Sequence, residues 1–222
     1  MKLKYLGICG IISLLSYTIM VLFSPLSYPG YDWLSMAVSD LSADGAPSQA
    51  LAERLNALFG PCGIVSIMAV CVAVKGFHPK TFRLGIFFFT AMEWVTVVGY
   101  KMFPLAQGEE MTSFQNIMHI VVTALVVLFS VVSLILIAVG GRKSIPTLSV
   151  WAIVCFAAMM LGAIGTGVMP KMVFGLFERF STFSAVVFNA VLGVYLLTGK
   201  FEKSERYHRT TLCGGVNYAE RN

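Results

Sequence analysis

The chain is predicted to be an all-α polytopic integral membrane protein, a bundle of six transmembrane helices, on three observations. Six apolar stretches of about twenty residues recur along it, each long enough to cross a ~30 Å hydrocarbon core. The composition is 57% hydrophobic and 12% charged with a mean hydropathy of +0.80, whereas soluble domains carry about 25% charged residues. The connecting segments alternate between basic and acidic, as they do when successive loops lie on opposite sides of a membrane.

The spans are expected at about 5–24, 57–74, 82–103, 114–139, 148–169 and 176–198. Together they make residues 1–199 one membrane domain, followed by a polar tail, residues 200–222, expected to be mobile. Lys2 and Lys4 precede the first span in the manner of a signal peptide. Its apolar run is too long for that and no small-x-small cleavage site follows, so it is read as an uncleaved span. Leu6-Gly7-Ile8-Cys9 has too short an apolar run before it to be a lipoprotein cleavage box.

Orientation follows from the basic residues. Of the 16 Lys and Arg, all but Arg54, Lys101, Lys171 and Arg179 fall at the termini or in the loops around Lys75–Arg83 and Arg142–Lys143. The positive-inside rule puts that side in the cytoplasm, with both termini there, in a multi-pass protein of the cell membrane. The net charge of +5 comes from that face and suits contact with anionic lipid headgroups. Nucleic-acid binding is not needed to explain it, and protein partners cannot be read from the sequence.

The first outer loop, residues 25–56, is longer than a bundle connection requires and too apolar for a disordered linker. Tyr28-Pro29-Gly30-Tyr31 reads as a turn. Asp32 is placed to cap a short helix in which Trp33, Met36, Ala37 and Leu41 share a face, with Ser39, Asp40 and Ser42 at its end. A turn at Ala43-Asp44-Gly45-Ala46 and a second cap at Ser48 lead helically into the second span, which Pro61 bends near its outer end. Trp33 and the two tyrosines suit an interfacial aromatic belt. Two readings of Asp40 are open: it ties the loop down, or it faces a pocket between spans.

Ionisable groups at membrane depth are costly and mark candidate sites. Glu93, mid-way along the third span, must be neutralised by a proton, a cation or hydrogen bonds. Lys101 is two turns further on and can snorkel outward. The fourth span opens with Gln115 and His119 one turn apart on one face. The sixth opens with Glu178 and Arg179, followed by Ser181 and Thr182, with Asn189 deeper. Asp40, Lys101, His119, Glu178 and Arg179 thus fall in one outer layer, reached from separate segments. A set of interfacial ion pairs and capping bonds explains them as well as a ligand or reaction site does.

Other features are plain. Gly162, Gly165 and Gly167 permit close packing of the fifth span, and Met159, Met160 and Met169 fill gaps. Cys9, Cys62, Cys71, Cys155 and Cys213 show neither a disulfide framework nor metal-ligand spacing. No metal or other cofactor is expected, and no phosphate loop, nucleophile elbow or HExxH motif is present.

The segment Tyr28-Pro-Gly-Tyr-Asp-Trp-Leu-Ser-Met-Ala-Val-Ser-Asp-Leu-Ser-Ala43, with Gly45-Ala46-Pro47-Ser48, Phe103-Pro104, the His119 region and Gly175-Leu176-Phe177-Glu178-Arg179, resembles a bacterial membrane family called domain of unknown function 998. The resemblance extends over all six spans and implies a topology without an activity. Ser39-Asp40 followed by Gly45-Ala46-Pro47 is also similar, more distantly, to the Frag/DRAM/Sfk membrane family. Its members have about six spans and are linked with lipid handling and membrane trafficking.

Three functions compete. In the first, a lipid or amphiphile binds at the outer layer: Lys101 and Arg179 hold an anionic headgroup, Asp40 and Glu178 orient them, and Trp33 and Gln115 line the site. In the second, a lipid hydrolase or transferase uses His119 as general base, oriented by Asp40 or Glu178, with Ser39 or Ser181 as the candidate nucleophile. In the third, a transporter relays protons or an ion through Glu93 and His119.

Overall fold

The computed structural model describes residues 2–76, 79–108 and 110–202. His78, His208, Cys213 and the tail beyond residue 202 lie outside the described residues, as does Glu109. Six helices are long and apolar enough to cross a membrane: Leu3–Ser27, Gln49–Ala73, Lys80–Met102, Phe114–Gly141, Pro146–Val168 and Lys171–Leu197. The protein is therefore an all-α, multi-pass membrane protein, and among the described residues its only sheet-type pairing is an isolated bridge between Asp44 and Ala106.

The α-helical parts are α1 (Ile8–Phe23), α2 (Gln49–Leu55), α3 (Phe59–Ala73), α4 (Lys80–Met102), α5 (Phe114–Gly141), α6 (Pro146–Val168) and α7 (Phe174–Leu197). Each spanning helix packs on its sequence neighbours, α7 closes the ring onto α1, and α7 also reaches across to α3. Bare glycine faces allow these approaches. A Cβ on Gly140 would strike the backbone of Phe82, and one on Gly162 the backbone at Phe177 and Ser181. Close glycine-mediated contact is the usual basis of helix association where lipid removes the hydrophobic drive.

Two apolar clusters fill the bundle. One, towards the end carrying Lys80, holds Phe82, Phe89, Leu134, Ile137, Leu148 and Phe188. The other, towards the end carrying the 25–56 loop (the loop end), packs Tyr17, Met20 and Val21 against Val38, Leu41 and Ala52. Loop and bundle thus share a core, which is why the loop is folded.

The loop's detail departs from the sequence reading. No helix spans Trp33–Leu41; residues 33–36 form turns and only Ser39–Ser42 coils, as a 3-10 turn. Asp32 folds back locally, accepting the Leu34 N–H at 3.1 Å and the Ser35 hydroxyl. The carbonyls of Trp33 and Met36, which a helix would use internally, are taken by Arg179. Ser48 precedes α2, but its side chain makes no cap; its Oγ donates to the Leu41 carbonyl at 2.7 Å. The turn at Ala43–Ala46 is formed, with Gly45 at φ 84° and Ala46 N–H on the Ala43 carbonyl. The second span is interrupted between Leu55 and Phe59. Pro61 sits in the first turn of α3, where its ring denies helical bonding to the carbonyl four residues back.

Candidate functional site

Arg179 and Glu178, adjacent on the first turns of α7, hold the loop. Arg179 is only 5% exposed. Its Nη1 donates to the carbonyls of Trp33 (2.9 Å), Met36 (3.1 Å) and Gly175 (2.6 Å), and its Nη2 donates to the Tyr31 hydroxyl at 2.7 Å. Tyr31 passes the network on by donating to the Ala37 carbonyl at 2.7 Å. The guanidinium also lies 4.2 Å from the ring centroid of Trp33, a cation–π contact that gains strength when desolvated. Glu178 accepts the Val38 N–H at 2.7 Å. Gly175 allows this approach, since a Cβ there would collide with the Met36 carbonyl. Burial pushes the Tyr31 hydroxyl up to about 12, with Arg179 opposing the shift.

Asp40 is half-buried within the loop, in the 3-10 turn Ser39–Ser42. Its Oδ2 accepts the Ala37 N–H at 2.8 Å. Burial raises its pKa above the usual 3.8, while the Ala37 amide, Arg179 and His119 act in the opposite direction. Asp40 is therefore within electrostatic reach of both Arg179 and His119, and Glu178 within reach of Asp40 and Arg179. Exposed Asp32, by contrast, is held below its usual value by the Ser35 hydroxyl and then the Leu34 amide.

His119 is half-buried on α5. Its Nδ1 meets the Phe103 carbonyl at 2.9 Å and its ring lies 5.0 Å from that of Tyr100. A carbonyl can only accept, so Nδ1 carries a proton, and in the neutral ring the lone pair is on Nε2. Gln115, one turn earlier, donates to the Pro104 carbonyl at 2.9 Å. Buried Asn116 accepts the Ala106 N–H at 2.9 Å and donates to the Glu110 carbonyl at 3.1 Å. The 103–110 segment is joined to the first loop through Asp44 N–H on Leu105, Gln107 N–H on Asp44, and the Gln107 side chain on the Tyr28 hydroxyl.

Arg179 and Glu178 thus meet the loop that carries Asp40, His119 lies within electrostatic reach of Asp40, and Trp33, 40% exposed, stacks on the Arg179 guanidinium. Lys101 is exposed near the end of α4, and Gln115 faces backbone rather than the layer. Arg179 spends most of its donors on loop carbonyls and Tyr31, which differs from the headgroup ligand expected of it. Glu93 is elsewhere. Seven residues separate it from Tyr100, the neighbour of His119, or about 10 Å along α4, so the expected Glu93–His119 relay is not a direct one. Among the described residues no group of three or more His, Cys, Asp or Glu side chains is arranged to hold a metal.

The sequence reading missed Tyr31 as an anchor of the first loop and Asn116 as the anchor of the 103–110 segment. The signal available was a phenol and an amide next to turn residues, in segments that must satisfy many backbone groups without regular structure.

The family model described as "Protein of unknown function (DUF998)" matches residues 11–195. No curated protein and no solved structure matches the chain.

Proposed function

The chain belongs to the DUF998 family, a membership that supplies no activity, and on that premise we propose from its own residues that it binds a lipid or other amphiphile at the loop end. The observation that carries this reading is that the half-buried polar groups Asp40, His119 and Glu178 lie at the end of the bundle that also carries exposed apolar side chains. Leu26 is 81% exposed, Leu34 52% and Phe180 41%, with Trp33 among them. Half-buried polar groups and exposed apolar side chains at one end of the bundle suit a molecule with a polar head and an apolar tail.

The roles differ from residue to residue. Arg179 is a positioning residue that fixes the loop as the roof of the site. Lys101 is an exposed cation able to meet a headgroup phosphate, and His119 offers Nε2. By the positive-inside rule this end faces away from the cytoplasm and takes lipid from the outer leaflet.

Native mass spectrometry of gently solubilised protein tests the reading. Wild type is expected to carry a specific lipid or amphiphile that His119→Ala and Lys101→Ala lose. Equal retention by all three proteins would contradict it.

A second reading, a lipid hydrolase or transferase, draws on His119, whose Nδ1 is held by the Phe103 carbonyl so that Nε2 could act as a general base, with Asp40 within electrostatic reach. The same spectra distinguish it: unaltered lipid accumulating in His119→Ala, against a cleaved or transferred form in wild type, would assign turnover.

A further inference from the structure

Glu93 is 4% exposed at mid-depth in the bundle, among α1, α3 and α7. The Asn189 Nδ2 donates to its Oε1 at 2.8 Å and also lies 3.3 Å from the Gly63 carbonyl. Gly63 leaves the room for this meeting. A Cβ there would lie 3.2 Å from Ser13 Oγ and 3.3 Å from both Asn189 Nδ2 and Glu93 Oε2, so polar atoms from three other helices converge on one bare Cα. Ser13 gives its proton away, donating to the Phe59 carbonyl at 2.8 Å, which leaves its oxygen lone pairs for the cluster. Of the buried side-chain atoms without a hydrogen-bond partner among the described residues, two lie here: Asn189 Oδ1, in a side chain 2% exposed, and Ser66 Oγ, one turn along α3 from Gly63.

A single carboxylate at this depth, with one amide donor, has to be neutralised. The orphaned Asn189 oxygen indicates how. Half a turn about its χ2 exchanges Nδ2 for Oδ1 and converts it from a donor to the carboxylate into an oxygen ligand beside it. The resulting set is a Glu93 carboxylate oxygen, Asn189 Oδ1, the Gly63 carbonyl and Ser13 Oγ. All four are hard oxygen donors and together they carry one negative charge. A divalent ion would leave an uncompensated charge in low dielectric. We infer that Glu93, Asn189, Gly63 and Ser13 form a buried binding site for one monovalent cation, Na⁺ or a proton, distinct from the loop-end layer.

The test is modification of Glu93 by dicyclohexylcarbodiimide, an apolar reagent that reacts with protonated carboxyls inside membranes, read by peptide mass spectrometry on the full chain. Labelling is compared in NaCl and in choline chloride at equal ionic strength, over a range of pH. For a Na⁺ site, Na⁺ lowers labelling about tenfold once it exceeds its dissociation constant by roughly that factor. Asn189→Leu keeps the carboxyl and loses the protection. For a proton site, labelling follows pH with a single midpoint and ignores Na⁺. Either result supports the inference. If Glu93 is unlabelled throughout, or is labelled to the same extent whatever the pH and Na⁺, the cluster is fixed polar packing and the inference is overturned. Wild type alone carries the measurement, so the result does not depend on a variant folding.

Discussion

At the scale of single residues, Arg179 decides the shape of the loop. One guanidinium gathers three carbonyls, a phenol and an indole face, a geometry that a lysine ammonium cannot match. Arg179→Ala is expected to cost about 3 kcal/mol, because buried carbonyls lose their donors, and Arg179→Lys to recover only part of it. With Trp94 and Trp151 replaced by Phe, Trp33 fluorescence should shift to the red in both variants; an unchanged spectrum would mean the loop holds itself. Asp40 gives a pH prediction. Its folded pKa is raised, chiefly by burial. The stability it contributes is therefore complete below the unfolded value and fades as pH rises through the folded one. The melting temperature of Asp40→Asn relative to wild type should accordingly climb from pH 4 to pH 7. A difference that stays flat, or falls, would place the Asp40 carboxyl in a charged, paired state instead.

At the scale of elements, the spans were legible because apolar length is a local property of the sequence, and six helices are long and apolar enough to cross a membrane. The loop was legible only as "folded, not linker". Its helix was mispredicted because the competitor for the Trp33 and Met36 carbonyls lies more than 140 residues away on α7, and local propensity carries no trace of it. The Ser48 cap failed because its hydroxyl is turned to donate to the Leu41 carbonyl and accepts from no backbone N–H of α2. Glu93 and Asn189 were each legible by depth, but their pairing was not, because it depends on how α7 is rotated against α4. Helix contacts give a prediction at this scale. A Cβ on Gly162 meets the α7 backbone rather than a flexible side chain. Gly162→Ala should therefore lower stability by about 1–3 kcal/mol, whereas Gly167→Ala, which meets nothing within 4 Å, should be neutral or slightly stabilising. Thermal melts of the two variants in one detergent compare them directly.

At the scale of the whole molecule, the six spans divide the chain into two chemically different ends. The loop end is folded, aromatic and rich in buried polar groups; the opposite end carries the short basic connections. An even number of spans places both termini on one side. With the native cysteines removed, Met111→Cys and Lys143→Cys should react with an impermeant maleimide from opposite faces of sealed vesicles, Lys143→Cys from the cytoplasmic face. Reaction of both from one face would break the topology. The central claim is that an amphiphile sits beneath the loop, among Asp40, His119 and Glu178. Its most direct test is photocrosslinking in native membranes with a lipid bearing a diazirine near its headgroup, followed by peptide mapping. The account predicts label concentrated in residues 25–56 and in the first turns of α5 and α7, falling severalfold in His119→Ala. Label spread evenly over the apolar faces of all six spans, and indifferent to His119, would contradict it.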